Sequence, residues 1–336
     1  MSCRRNISGA IKIFPILVSA AFFAVLVYSL KTGSVEVSWS SIAEFFSGTD
    51  DPFSADSMIL RELRMPRILA AIISGAALAV SGVILQGLLH NDLASPGVVG
   101  VSAGGGLAGL TAILFFSATP GTVVLASFSG AIICAAVICL LAWKNGIDPL
   151  RLILAGVALS ALCGAAGSAI LSLNSEKAGS VISFTVGTFS LCRPEDVASV
   201  FPFFLAGMLL ALFFARHLDI LMLGDETAAS LGLKVEFSRT MLMLSAVLLA
   251  SCAVSLAGLL GFVGLVIPHA VRLIGNSGNS RRLMLRSASA GAVLVMLCDA
   301  VGRSVAAPAE IPAGVVTALI GAPFFLYILM KKGRAL

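Results

Sequence analysis

Residues 240–276 read TMLMLSAVLLASCAVSLAGLLGFVGLVIPHAVRLIGN. The stretch holds no charge before Arg272. It is too long for one ordinary membrane helix, which takes about 20 apolar residues. Both flanks are basic, with Arg216, Lys234 and Arg239 before it and Arg281, Arg282 and Arg286 after it. Basic flanks mark the cytoplasmic side, so the chain crosses an even number of times between them. Two short spans, 241–258 and 260–275, meet that condition. Gly258, Gly261 and Gly264 allow a tight reversal and close helix approach.

The rest of the chain fits the same solvent. Of its 336 residues, 58% are hydrophobic and 12% charged, with mean hydropathy +1.04. The charged share is roughly half that of a soluble domain. The net charge of +5 is no nucleic-acid signal, because the basic residues are scattered between apolar runs. Further runs of spanning length lie at 13–30, 68–89, 97–117, 121–143, 151–173, 197–215, 287–303 and 313–330. The first is read as an uncleaved span, since no small-x-small cleavage site follows it. The expected fold is an all-α polytopic membrane protein of about ten transmembrane helices in a single permease domain, 1–336. Both termini lie on one side. None of the seven cysteines forms a CxxC pair, and most lie in apolar runs, so no disulfide framework is expected.

Orientation follows from counting. With the N-terminus inside, 15 basic residues are cytoplasmic and 7 are outside, out of 22. The outside set includes Arg61, Arg64 and Arg67 of the segment RELRMPR, 61–67, against the local rule that arginines beside a span lie inside. The longest outer loop is 31–66, and 174–196 is also outer.

Candidate chemistry is sparse. Gly100-Val101-Ser102-Ala103-Gly104 matches GxSxG, but no strand precedes it and the chain is glycine-rich. It is read as helix packing or a helix start rather than a nucleophile. His90, His217 and His269 are separated, and no metal or cofactor site is expected. No GxxxxGK[ST] occurs, so any ATP must be bound by another polypeptide. Asp299 is the acid placed well inside a span, with Arg303 one helical turn later, and the two are read as a structural pair. LGDETAASLGL, 223–233, is a polar interruption between spans 6 and 7 on the cytoplasmic side. Asp225 can cap a short helix there, Glu226 suits its positive end, and Gly232 ends it. Chemistry alone leaves open whether this is a docking surface or a connecting loop.

At this segment the chain resembles the FecCD-type permeases of type II ATP-binding-cassette importers, which take up iron-siderophore complexes, haem and cobalamin. The matching stretches run in order through four-fifths of the chain: RMPRILAAIISGAALAVSGVILQGLLHNDLASPGVVGVSAG, LILAGVAL, LGDETAASLGL, GLLGFVGLVIPHAVRLIG and EIPAGVVTALIGAPFFLYIL. The resemblance implies a homodimer in the cytoplasmic (inner) membrane of a bacterium or archaeon, with the pathway at its centre. Two ATPase subunits would lie below it and a periplasmic or lipid-anchored binding protein above. Spans 5 and 10 would line the pathway.

The resemblance also implies residue roles. The coupling helix, 224–233, would comprise Gly224, Asp225, Glu226, Thr227, Ala228, Ala229, Ser230, Leu231 and Gly232. Asp148, Pro149 and Leu150 match the cytoplasmic gate region. The family's R-x-P-R falls on Arg64, Pro66 and Arg67, and its D-x-x-x-R on Asp299 and Arg303. In the family these arginines face outward and pair with acids on the binding protein. Arg61 lies outside the pattern and, beside Glu62, reads as a solvated charge. The chain departs at Asn91-Asp92-Leu93-Ala94, where N-P-L-A is usual, and at Phe184, Gly187 and Thr188, where W-x-x-G-S is usual. An ion-coupled secondary transporter is the alternative, and for that role only Asp299 is available. A serine hydrolase built on Ser102 lacks a credible base.

Overall fold

The computed structural model describes residues 2–33, 35–116, 119–143, 146, 148–274, 278–307 and 309–332. The expected span ends at 117 and 275, and Lys144 and Arg334 of the charge count, lie outside these residues. The chain begins with α1 (Ser2–Lys31), α2 (Trp39–Ser47) and α3 (Ala55–Met58), then a π-helical turn Ile59–Arg64. Next come α4 (Met65–Leu88), α5 (Val101–Phe116), α6 (Pro120–Ala142) and α7 (Pro149–Leu173). After a 3-10 turn at Ser175–Lys177 follow α8 (Ala178–Val186), α9 (Pro194–Phe213), α10 (Ala215–Leu221) and α11 (Asp225–Ser230). The last four are α12 (Val235–Ala257), α13 (Val263–Ile274), α14 (Ser280–Val305) and α15 (Ala313–Lys332).

A helix stands at each of the ten apolar segments read from the sequence. Among the described residues, seven of these helices are long and apolar enough to cross a membrane, and three shorter apolar helices lie at Val101–Phe116, Val263–Ile274 and Ala313–Ile328. In place of the expected spans 241–258 and 260–275 stand two helices of unlike length. α12 is full length at 23 residues, and α13 has 12. Five non-helical residues, 258–262, separate them, with Gly258 at φ 69° and Phe262 at φ 65°.

Irregular backbone at membrane depth survives only where protein satisfies its polar groups. A second irregular stretch does so here. Thr188 N–H donates to the Ala257 carbonyl at 2.9 Å, and Gly314 N–H donates to the Gly187 carbonyl at 2.9 Å. A Cβ on Gly258 would fall 2.2 Å from the Phe184 carbonyl oxygen, so only glycine fits this crossing. The region 174–196, expected as a loop, therefore holds a short apolar helix, α8, whose C-terminal end is threaded between the α12–α13 turn and α15. Phe184 and Thr188, where the chain departs from the pattern it otherwise resembles, are part of this junction.

The core is α4 and α12, with α14, α9 and α13 around them. In lipid, close packing rather than hydrophobic exclusion joins helices, so small residues decide where backbones meet. A Cβ on Gly75 would lie 2.2 Å from the Gly291 carbonyl oxygen, and one on Gly82 would lie 1.9 Å from that of Gly264. Buried serines add cross-helix bonds: Ser81 Oγ donates to the Ala246 carbonyl and Ser245 Oγ to that of Gly207, each at 2.8 Å. Such bonds contribute about 0.6 kcal/mol each in membranes. α7 is the exception, since only Leu152 and Gly156 are buried and a long apolar face stays uncovered within one chain.

Candidate functional site

Two polar clusters occupy opposite ends of this apolar bundle. At one end the C-terminal ends of α1 and α14 meet the start of α4 and the approach to α15. Its geometry begins at Pro66. Proline lacks an N–H and clashes with the carbonyl four residues back, so the regular helical ladder cannot run through it. The chain widens before it instead. Met65 N–H bonds the Leu60 carbonyl five residues back, closing the π turn Ile59–Arg64. An extra residue per turn rotates later side chains by about 100°.

The three arginines of RELRMPR consequently part company. Arg61 is not simply solvated beside Glu62. It pairs with Asp50 at 3.1 Å and lies over the Phe45 ring. The Ser57 hydroxyl, ahead of Arg61 itself, holds the Asp50 carboxyl below its usual range. Arg64 donates to the Leu30 and Val35 carbonyls. Arg67 Nε donates to both Asp299 oxygens at 3.0 Å, its Nη2 stands 2.9 Å from Asp299, and its Nη1 donates to Glu310 at 2.8 Å.

The expected Asp299–Arg303 pair is present at 3.2 Å, but it is half of a larger arrangement. One carboxylate faces two guanidiniums, and Arg303 also approaches the Thr32 and Ser29 carbonyls at 3.4 and 3.5 Å. Arg64, Arg67 and Arg303 are 4%, 8% and 4% exposed, so they do not form an open rim of outward-facing charges. An unpaired guanidinium is costly away from water, and this chain supplies its own acceptors. The three arginines, Val35, Ser190 and Glu310 enclose much of a recess of about 260 Å³. With Asp299 buried behind them, the three arginines and Glu310 form a cluster with one positive charge in excess. Glu310 has no role in the sequence reading, although it opens a quoted stretch, EIPAGVV. Its signal was an acid just ahead of the last span.

The other end carries the segment 224–233. Gly224 at φ 100° is the residue before α11, and Asp225 does not cap it. A left-handed start leaves the cap to backbone alone and frees the Asp225 carboxylate to bind Arg239 Nη2, at 2.7 and 2.9 Å. Gly232 does end the helix as expected. At φ 81° its N–H bonds the Ala229 carbonyl, and Leu233 N–H bonds that of Ala228. Ala228 is buried, whereas Glu226, Thr227, Ala229, Ser230, Leu231 and Gly232 face outward and Gly224 is half-buried.

Asp148 caps α7, accepting from Leu150 and Arg151 N–H at 2.9 and 3.1 Å, with Pro149 in the first helical turn. Leu150 is exposed. Pro149 shares a recess of about 410 Å³ with His90, Leu223, Arg239 and residues 224–227. The structure thus brings the expected gate turn beside the expected coupling helix. Nearby, Asp92 lies 3.4 Å from Arg272, a contact unavailable to the usual proline at that position. Ser102 lies in the first turn of α5 behind Gly100 at φ 91°, whose carbonyl accepts from Cys134 Sγ. The glycines of that motif pack: a Cβ on Gly104 would fall 2.1 Å from Cys134 Cβ.

The profile of the FecCD transport family matches residues 21–331. The chain belongs to the FecCD transport family. Among its FecCD relatives is the Fe(3+)-citrate import system permease protein YfmE of Bacillus subtilis (strain 168), 37% identical over 322 residues and covering 95% of each chain. The cobalamin import system permease protein BtuC of Halobacterium salinarum is 39% identical over 277 residues, covering 82% of this chain and 74% of that one. A solved inward-facing ABC transporter of the metal-chelate type is 32% identical with a TM-score of 0.82, covering 95% of this chain and 99% of that one. This FecCD chain is a multi-pass transport permease of the ABC importer class, not an enzyme.

Proposed function

We propose that two copies of this chain form the translocation unit of an ATP-driven importer for a bulky chelate, namely an iron-siderophore complex, haem or cobalamin. Ten crossings carry each chain through the cytoplasmic membrane, with both termini inside. Each copy engages one ATPase subunit through Gly224–Gly232, beside the Asp148-Pro149-Leu150 turn, which serves as part of the cytoplasmic gate. The arginine recess at the other end receives an acidic side chain of a substrate-binding protein. α7 and α15 line the pathway.

The observation that carries this reading is the unlike character of the two ends. One presents a short helix outside the bundle, ended by Gly232, and the other a recess with excess positive charge. A partner that moves must grip a rigid projection, and an acidic partner must find cations. The 15-to-7 distribution of basic residues supports placing the α11 end inside. Asp299 serves the ion-coupled alternative poorly, because two guanidiniums already occupy its carboxylate.

The test is uptake into proteoliposomes holding the permease and its ATPase, with the binding protein supplied outside. Ferric siderophore, haem and cobalamin are offered in turn. Uptake of one of them that requires ATP and survives collapse of the proton gradient is expected. Uptake without ATP that stops when the gradient collapses refutes the reading.

A further inference from the structure

Arg239 takes no part in the roles assigned above, yet it is the side chain that ties α11 to the bundle. It sits in the second turn of α12 and is 6% exposed. Its Nη2 meets both carboxylate oxygens of Asp225, at 2.7 and 2.9 Å, while Nη1 donates to Glu236 at 3.0 Å. Asp225 itself is largely open, its side chain 55% exposed. A planar guanidinium that holds one carboxylate through Nη2, while Nη1 is held by a second carboxylate on its own helix, fixes direction as well as charge. α11 has only six residues and buries only Ala228, so little else holds it to α12.

α12 leads away from this clamp through the middle of the fold. Its 23 residues make a rod of about 34 Å. At the far end the Ala257 carbonyl accepts Thr188 N–H, and Gly258 lies against the Phe184 carbonyl. The segment 184–188 in turn accepts Gly314 N–H at the start of α15. One stiff helix therefore carries the projecting helix at one end and the irregular backbone junction at the other.

We propose that Arg239 is a positioning residue that transmits movement of the docked helix α11 to α12, and through α12 to the segment 184–188 at the opposite end. This rests on the reading of 224–233 as the ATPase contact. A competing route runs through α10, where Asp219 accepts Ser280 N–H at 2.8 Å and so reaches α14. In the proposal that contact holds α10 in place and transmits nothing. A link between distant sites is recognised by non-additive effects on the coupling.

The experiment uses the complete complex in proteoliposomes and compares the parent, Arg239→Met, Arg239→Lys, Asp225→Asn and the double variant Arg239→Met/Asp225→Asn. Substrate taken up per ATP hydrolysed is the first readout. Arg239→Met is expected to lower it roughly tenfold, within the usual range of coupling between two sites. Arg239→Lys should fall between it and the parent, because lysine keeps the charge without the fork. The double variant should be no worse than either single one.

The second readout, taken with the binding protein omitted, is alkylation of a Ser190→Cys reporter beside the far segment by an impermeant maleimide, in a Cys192→Ser background. ATP is expected to change its rate in the parent and not in Arg239→Met. Unchanged uptake per ATP in Arg239→Met, multiplying effects in the double variant, or an ATP response that survives Arg239→Met each overturn the proposal. If Arg239→Met does not assemble, Asp225→Asn decides, and unchanged uptake per ATP in that variant overturns it. A parent permease that holds no ATPase at all fails the importer reading instead.

Discussion

Replacing Asp299 with Asn separates the buried part of the arginine cluster from its exposed part. Asp299 is 2% exposed and faces both Arg67, at 2.9 Å, and Arg303, at 3.2 Å. Asparagine keeps the shape and removes the charge, so two buried guanidiniums lose their shared carboxylate. Breaking a buried pair by removing one partner costs about 3–5 kcal/mol, because the remaining charge stays uncompensated. Glu310 also binds Arg67, at 2.8 Å, but its side chain is 33% exposed. Water and salt screen that contact, so Glu310→Gln should cost no more than about 1 kcal/mol. At roughly 2–4 °C per kcal/mol, Asp299→Asn lowers the melting temperature by on the order of 10 °C and Glu310→Gln by a few degrees at most. Thermal unfolding of purified permease in one detergent reads the difference. Equal losses, or an Asp299→Asn variant as stable as the parent, would show that this burial does not set the energetics of the cluster.

Glu310→Gln also frees Arg67 for an incoming carboxylate, so affinity for the binding protein should rise several-fold, whereas Arg67→Gln should lower it. A fall in the first case means that Glu310 is itself part of the contact. Gly82→Ala puts a methyl group 1.9 Å from the Gly264 carbonyl oxygen and should cost about 1–3 kcal/mol. Gly164→Ala on α7 meets nothing within 4 Å and should leave the stability of the single chain unchanged or raise it by up to about 1 kcal/mol, as thermal unfolding of the two variants checks. Ala229→Pro removes an N–H from the short helix α11, and ATP-driven uptake should drop to background while the protein still inserts. The Asp50 carboxyl is lowered on folding from 3.8, chiefly by the Ser57 hydroxyl. Its contribution is therefore whole above that value and lost as pH falls through the lower folded value. Protection factors of 50–58, corrected for the intrinsic exchange rate at each pH, should fall on acidification, and Asp50→Asn should lower them already at neutral pH.

Much of the architecture was legible in composition and spacing. Ten apolar segments, the polar interruption at 223–233 and the helix end at Gly232 follow from local chemistry, because lipid demands long apolar helices and a left-handed residue ends them. The pairing of Asp299 with Arg303 was legible too, since residues one turn apart share a helix face.

Other features depend on contacts between residues far apart in the chain. Arg67 reaches Asp299 and Glu310 more than 230 positions away, and Arg239 binds the Asp225 carboxylate that the Gly224 start leaves free. The unequal lengths of α12 and α13 arise because the backbone of 184–188 bonds the unwound turn and is itself bonded by the start of α15. The apolar pattern of 240–276 determined that the chain turns back within that stretch. Where it turns was decided by tertiary structure, since a peptide group can leave its helix in lipid only where another segment supplies its hydrogen bonds.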